Sequence, residues 1–144
     1  MERIKESDKR LFGEFAVLYA GFSKDERDRL EGFSKAYSER LRVIFSCPDD
    51  GDRVVGDIFK GGDGRCKDED TDYPRTVIMS GFSEKGLFDF LKGLKGLNIP
   101  IHLVAVLTET SKDWRFGDLI KELIRESEEV RKRKAQSLKE NQSS

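Results

Sequence analysis

The chain has 144 residues, 36% hydrophobic and 38% charged, with a formal net charge of −1. That length suits one domain burying roughly two-thirds of its unfolded surface. The charge balance excludes a global pull toward nucleic acid or anionic membrane, and no apolar run approaches the roughly 18 residues of a membrane helix.

The amino-terminal stretch MERIKESDKR lacks the apolar segment of a secretory signal. Two cysteines without regular spacing make no disulfide framework. A reducing cytoplasm is the expected location. Only two Asn and two Gln stand among the many charges, a composition shared with heat-adapted proteins.

In chain order, the first apolar run is AVLYA, Ala16 to Ala20, closed by Gly21, Phe22 and Ser23. Such a run ending at glycine predicts a buried strand, and Ser23 with Glu26 has capping-box spacing for a following helix. A second strand is predicted over LRVIFSC, then an acidic turn and a short helix around Val54 to Lys60. Gly61 to Arg75 is polar and reads as a connecting loop. The pattern then begins again. TVIMS, Thr76 to Ser80, leads into Gly81, Phe82 and Ser83. Leu87, Phe90, Leu91 and Leu94 follow at helical spacing, and Phe82 with Leu87 fits a hydrophobic staple around a Ser83 cap. IHLVAVL predicts the fourth strand, and Thr110 with Asp113 offers a capping box to a long helix from about Ser111.

The two stretches align over some forty-five residues with one insertion. Val17 meets Val77, Asp28 meets Asp89, Leu30 meets Leu91, Gly32 meets Gly93, Val43 meets Val104, and GDIFK (Gly56 to Lys60) meets GDLIK (Gly117 to Lys121). This reads as a duplicated unit, about 14–60 and 74–126. The fold class is therefore α/β: one domain over 1–144, with a mostly parallel four-stranded sheet built from two β-α-β-α units related by a pseudo-twofold, and helices packed on it. The expected strand order is 2-1-3-4. That order would set both Gly-Phe-Ser turns at the carboxyl edge of the sheet, beside the switch point where such folds bind ligands. The glycine serves a tight turn, the phenylalanine the core and the serine the cap. The functional alternative is that the two helix N-termini jointly hold an anion.

Four other features invite chemistry. Cys47 and Arg53 have the spacing of a cysteine-phosphatase loop, but Asp49, Asp50 and Asp52 between them would repel phosphate and raise the thiol pKa. The structural reading is a buried cysteine ending a strand. Asp68, Asp70 and Asp72 alternate like a calcium loop, yet Tyr73 and Met79 stand where glycine and glutamate are needed. His102, the single histidine, falls in a predicted strand with no ligand partner at recognisable spacing, and reads as a hydrogen-bonded structural residue. Residues 131–144 read as a basic helix end fraying into a disordered tail, with Glu128–Lys132 and Glu129–Arg133 at i, i+4.

Pro100 to Glu126 carries Ala105, Val106, Thr108, Thr110, Ser111, Trp114, Leu119 and Leu123. With GFSEKGLFDFLKGL before it, this segment resembles the bacterial family named domain of unknown function 3783, best over Thr76 to Glu126. Glu109 stands where the family often has proline. The resemblance implies an α/β domain and supplies no activity, cofactor or catalytic residue. Trp114 reads either as a cover over the sheet end or as a contact residue.

The expectation is a non-catalytic interaction or regulatory module with no cofactor, no metal and no catalytic residue. The alternative is a small anionic-ligand-binding protein or enzyme. It would use a crevice framed by Gly21, Phe22, Ser23, Gly81, Phe82, Ser83, Thr108, Thr110, Ser111 and Trp114. A concave, partly apolar pocket there would favour the ligand, and a filled or flat end would favour a protein partner. No nucleic acid or membrane partner is expected, and an edge strand leaves homodimerisation open.

Overall fold

The computed structural model describes residues 10–143, with side chains described through Ala135. Residues 1–9, where the signal segment was sought, and Ser144 lie outside them. Among the described residues strands and helices alternate: β1 (Ala16–Ala20), α1 (Lys24–Tyr37), β2 (Arg42–Phe45), α2 (Val55–Ile58), β3 (Thr76–Ser80), α3 (Glu84–Lys95), β4 (Leu103–Val106) and α4 (Phe116–Ser143). Turns of 3-10 helix at Asp50–Asp52 and Ser111–Asp113 precede α2 and α4.

The sheet order is β2-β1-β3-β4, as expected. The outer pairs, β1–β2 and β3–β4, are parallel, but the central pair β1–β3 is antiparallel, so the sheet is mixed. A twofold normal to a sheet reverses strand direction, so the pseudo-twofold expected from the sequence is compatible only with an antiparallel centre, not with an all-parallel sheet. Ala16 lies opposite Ser80, Leu18 opposite Ile78 and Ala20 opposite Thr76, so residues sixty apart change places about the Leu18–Ile78 pair. The outer registers agree, with Val17 opposite Val43 and Val77 opposite Val104. Beyond the sheet the halves meet again. Val54 bridges Arg115, the Val55 amide donates to the Trp114 carbonyl at 2.8 Å, and the Phe116 amide donates to the Arg53 carbonyl at 2.8 Å.

Every residue of β1 and β3 is buried, because both faces of the sheet are covered. Val17, Tyr19, Val43, Phe45, Val77 and Met79 pack with Leu30 of α1 and Phe90 and Leu94 of α3. Alternate residues Leu18, Ile44 and Ile78 pack with Val55 and Ile58 of α2 and Phe116, Leu119 and Ile120 of α4. Each such fully buried side chain contributes about 1.5–3 kcal/mol.

The caps of α1 and α3 form as their spacing predicts. Ser23 Oγ accepts from the Glu26 amide and Glu26 Oε1 from the Ser23 amide, while Ser83 Oγ accepts from the Gly86 amide. The Thr110–Asp113 box does not form. Instead the Thr108 amide donates to Ser111 Oγ and the Ser111 amide to Thr108 Oγ1, closing a 3-10 turn before α4 starts at Phe116. The continuous backbone of α4 runs through Ser143, where a frayed tail from residue 131 is expected. No described helix is long and apolar enough to cross a membrane.

Candidate functional site

The antiparallel centre places the two Gly-Phe-Ser turns at opposite ends of the sheet. The expectation that both lie at one carboxyl edge fails for that reason, and the two helix N-termini cannot converge on one anion. Their glycines share a constraint. Gly21 has φ +81° and Gly81 φ +71°, and a Cβ on Gly21 would strike the backbone of Tyr73 and Pro74. On Gly81 it would strike Gly13 and Glu14. Each glycine thus lets the chain entering the other half pass beneath it. Phe22 and Phe82 are both core residues.

The end that carries Gly21 to Ser23 is filled by ion pairs. Asp50, 0% exposed, accepts from Arg65 through both carboxylate oxygens, at 2.7 and 2.8 Å, and from Arg53 at 2.9 Å and the Cys47 amide at 2.7 Å. Burial raises its carboxyl pKa, but these hydrogen bonds, led by Arg65, outweigh burial and hold it below the usual range. Cys47 is disulfide-bonded to Cys66, with the Cα atoms 5.3 Å apart, inside the normal span. This corrects the expectation of two unpaired cysteines: folding closes a sequence separation of 19 that spacing alone did not flag. The phosphatase-like reading of Cys47 and Arg53 ends here too, since the sulfur is bonded and the guanidinium lies on Asp49 and Asp50. Glu69 stands near both sulfurs, and Asp49 and Asp50 near Cys47, in arrangements that could in principle ligate a cation. The disulfide and the arginines already engage four of those five groups.

The connecting loop 61–75 is part of the same assembly. It runs along the outer edge of β2: the Gly64 amide donates to the Val43 carbonyl at 2.7 Å and the Phe45 amide to the Arg65 carbonyl at 2.9 Å. Buried Arg27 holds it from above, donating to the Lys67 carbonyl and to Asp70. Lys24 pairs with Asp68, so two of the three alternating aspartates serve ion pairs. Arg75 pairs with Glu26, whose carboxyl, raised by desolvation but lowered more by Arg75 and Ser23, sits below its ordinary value.

The opposite end holds Gly81 to Ser83 and the turn from Thr108 to Trp114. Between this turn, α2 and the chain entering β1 lies a cleft of about 270 Å³, at the low end of the roughly 300–1,000 Å³ typical of small-molecule sites. Phe12, Val54, Phe59 and Leu107 give it apolar walls. Arg42 with Glu14, Lys60 with Asp57, and Lys112 with Asp113 ring its mouth as ion pairs. Of the crevice residues named from sequence, Gly81, Phe82, Ser83, Thr108, Thr110, Ser111 and Trp114 share this end, and Gly21, Phe22 and Ser23 do not. Trp114 is partly exposed and lies over α4 beside Asp118, Lys121 and Arg125 rather than in the cleft. His102 is exposed just before β4, not inside a strand as expected.

Residues 75–130 match the family model described as Domain of unknown function (DUF3783), spanning β3 to the middle of α4. No curated protein and no solved structure matches the chain.

Proposed function

We propose that the protein is a non-catalytic interaction module, made of two diverged copies of one strand-helix-strand-helix unit, and that it works through the outer edge of β4. A second copy of the chain is the partner, laid antiparallel so that two four-stranded sheets become one of eight. One observation carries this reading: the equivalent edge of β2 is sealed and that of β4 is open. On β2 the Val43 carbonyl accepts from the Gly64 amide and its amide donates to Asp63 of loop 61–75, and its side chain is 0% exposed, whereas Val104, its counterpart on β4, is 48% exposed. Among the described residues β4 pairs only with β3. An uncovered edge presents unpaired amides and carbonyls that template another strand.

Charge favours a second copy as occupant. The groove between β4 and α4 is lined by Val104 and Val130 together with Glu126, Arg131 and Lys134. A twofold contact makes a surface meet itself, which brings the acid of one copy to the bases of the other. A net charge of −1 adds little repulsion. The non-catalytic part of the reading is supported by the commitment of Cys47 and Asp50 to the disulfide and the arginines. For location we propose the cytoplasm of a heat-adapted cell, where few amide side chains and an intracellular disulfide occur together.

Light scattering tests the partner. The expected mass is twice 16.5 kDa, falling to the monomer in Val104→Lys with an unchanged circular dichroism spectrum, because an edge lysine blocks strand pairing. A wild-type monomer at high micromolar concentration would overturn the homotypic reading.

A further inference from the structure

We infer that the cleft at the carboxyl end of β3 binds a small para-hydroxyphenyl compound bearing a polar para substituent. The inference is independent of pairing at β4 and rests on how the other half of the molecule fills the corresponding space.

Each half has a space between the chain entering its neighbour's strand, a 3-10 turn and the start of the following helix. In one half the space lies between Tyr73–Pro74, the Asp50–Asp52 turn and Phe116–Gly117. In the other it lies between Gly13–Glu14, the Ser111–Asp113 turn and Val55–Gly56. The close approaches that define the two spaces match. A Cβ on Gly117 would lie 3.0 Å from the Gly51 carbonyl, and one on Gly56 would lie 3.0 Å from the Lys112 carbonyl.

The chain closes the first space with its own Tyr73. The ring packs edge-on against Phe116 with centroids 5.0 Å apart, and the hydroxyl donates to the Pro48 carbonyl beside the 3-10 turn at 3.3 Å. In the second space glycine stands where Tyr73 would be, so no tyrosine ring enters, and the 270 Å³ cleft walled by Phe12 and Phe59 is what remains. The molecule therefore displays the shape that fits: one phenol ring with its hydroxyl toward the 3-10 turn.

The floor differs in one informative way. Where the Tyr73 side has Ala20, the cleft has Ser80, which is 1% exposed and lines it. The missing Cβ of Gly13 points at the Ser80 hydroxyl. A Cβ there would overlap it, so a ligand ring sits clear of Gly13 and sets a para substituent against Ser80 from within the cleft, where a hydroxyl or amine would pair with it. The rim argues against an anion, since each of its three bases already carries an acid: Glu14 on Arg42 at 2.8 Å, Asp57 on Lys60 at 3.5 Å and Asp113 on Lys112 at 3.7 Å. An uncharged or singly polar ring fits better than the anionic ligand expected from sequence.

The test titrates 4-hydroxybenzyl alcohol and p-cresol into the full chain labelled with nitrogen-15. Saturable shifts are expected at the Val54, Gly56 and Lys112 amides. Ser80→Ala, which copies the alanine of the other half, should weaken 4-hydroxybenzyl alcohol by about three- to tenfold, the worth of one hydrogen bond, and leave p-cresol unchanged. Val54→Trp should fill the cleft and abolish both. Tyr73→Ala opens the equivalent space and should gain a second set of shifts at the Gly51 and Gly117 amides. The inference falls if wild type shows no saturable binding up to about 10 mM, the weak end for so small a ligand. It falls equally if binding survives Val54→Trp in a folded protein, or if Tyr73→Ala binds while wild type does not.

Discussion

The two halves share a backbone plan and differ in what covers it. Around β2 the chain adds a loop, a disulfide and a buried carboxylate between arginines, so that edge is closed and its end filled. Around β4 none of these additions recurs among the described residues: Ser111 stands where Asp50 does, and its hydroxyl is satisfied within its own turn by Thr108. One half holds itself together by charge and covalent closure, while the other exposes an edge and a cleft. The same strand-helix geometry thus supports a structural and a receptive end, depending on a few side chains outside the sheet.

Replacing Asp50 gives the sharpest break in that contrast. Asp50→Asn strands Arg65 without its acid and leaves Arg53 only Asp49, and the expected loss is about 3 kcal/mol or more in denaturant melts. The counterpart Ser111→Ala should cost about 1 kcal/mol. Equal losses would mean that the buried charge does not set the first half apart.

Next in size is the disulfide. A closed loop with a separation of 19 residues constrains the unfolded chain by about 3 kcal/mol. Reduction, or Cys47→Ala with Cys66→Ala, should therefore lower Tm by roughly 10 °C at this chain length. Faster hydrogen exchange should follow at the Gly64 and Phe45 amides, while β3 and β4 keep their protection. A loss spread evenly over the sheet would show that the closure serves both halves.

Acid should produce the smallest effect. Glu26, Asp50 and Asp63 all have carboxyls held below their ordinary values by Arg75, Arg65 and Lys35 despite desolvation. Their stabilisation is complete above the unfolded carboxyl pKa of about 4 and is lost as pH falls through the lower folded values. All three bind loop 61–75 or its flank to the body. Between pH 4 and pH 2, exchange corrected for intrinsic rate should rise at Gly64 and Phe45 before it rises at Leu107. Simultaneous opening would show that these pairs do not anchor the loop separately.

Much of the frame was legible in the sequence because it rests on local rules. Apolar runs ending at Gly21 and Gly81 marked strands. Ser23 and Ser83 marked caps, and the alignment of Val17 with Val77 and Val43 with Val104 anticipated the registers that pair them. The site was less legible. Gly81, Thr108, Ser111 and Trp114 do share one end, but Gly21 lies at the other, since a linear repeat does not state whether its copies meet side by side or head to foot. Ser80 and Gly13 went unnoticed because neither carries a motif; they matter only by comparison with Ala20 and Tyr73.

What the sequence determined by itself was the alternation of strands and helices and the caps at Ser23 and Ser83, which follow from periodicity and short-range hydrogen bonding. Tertiary structure decided the antiparallel centre, the union of Cys47 with Cys66 and of Asp50 with Arg65, the sealed and open edges, and the cleft that Gly13 leaves. Those features depend on which distant segments are brought to one place. Chain closure over many residues is set by the packing of the whole sheet, and no local spacing records it.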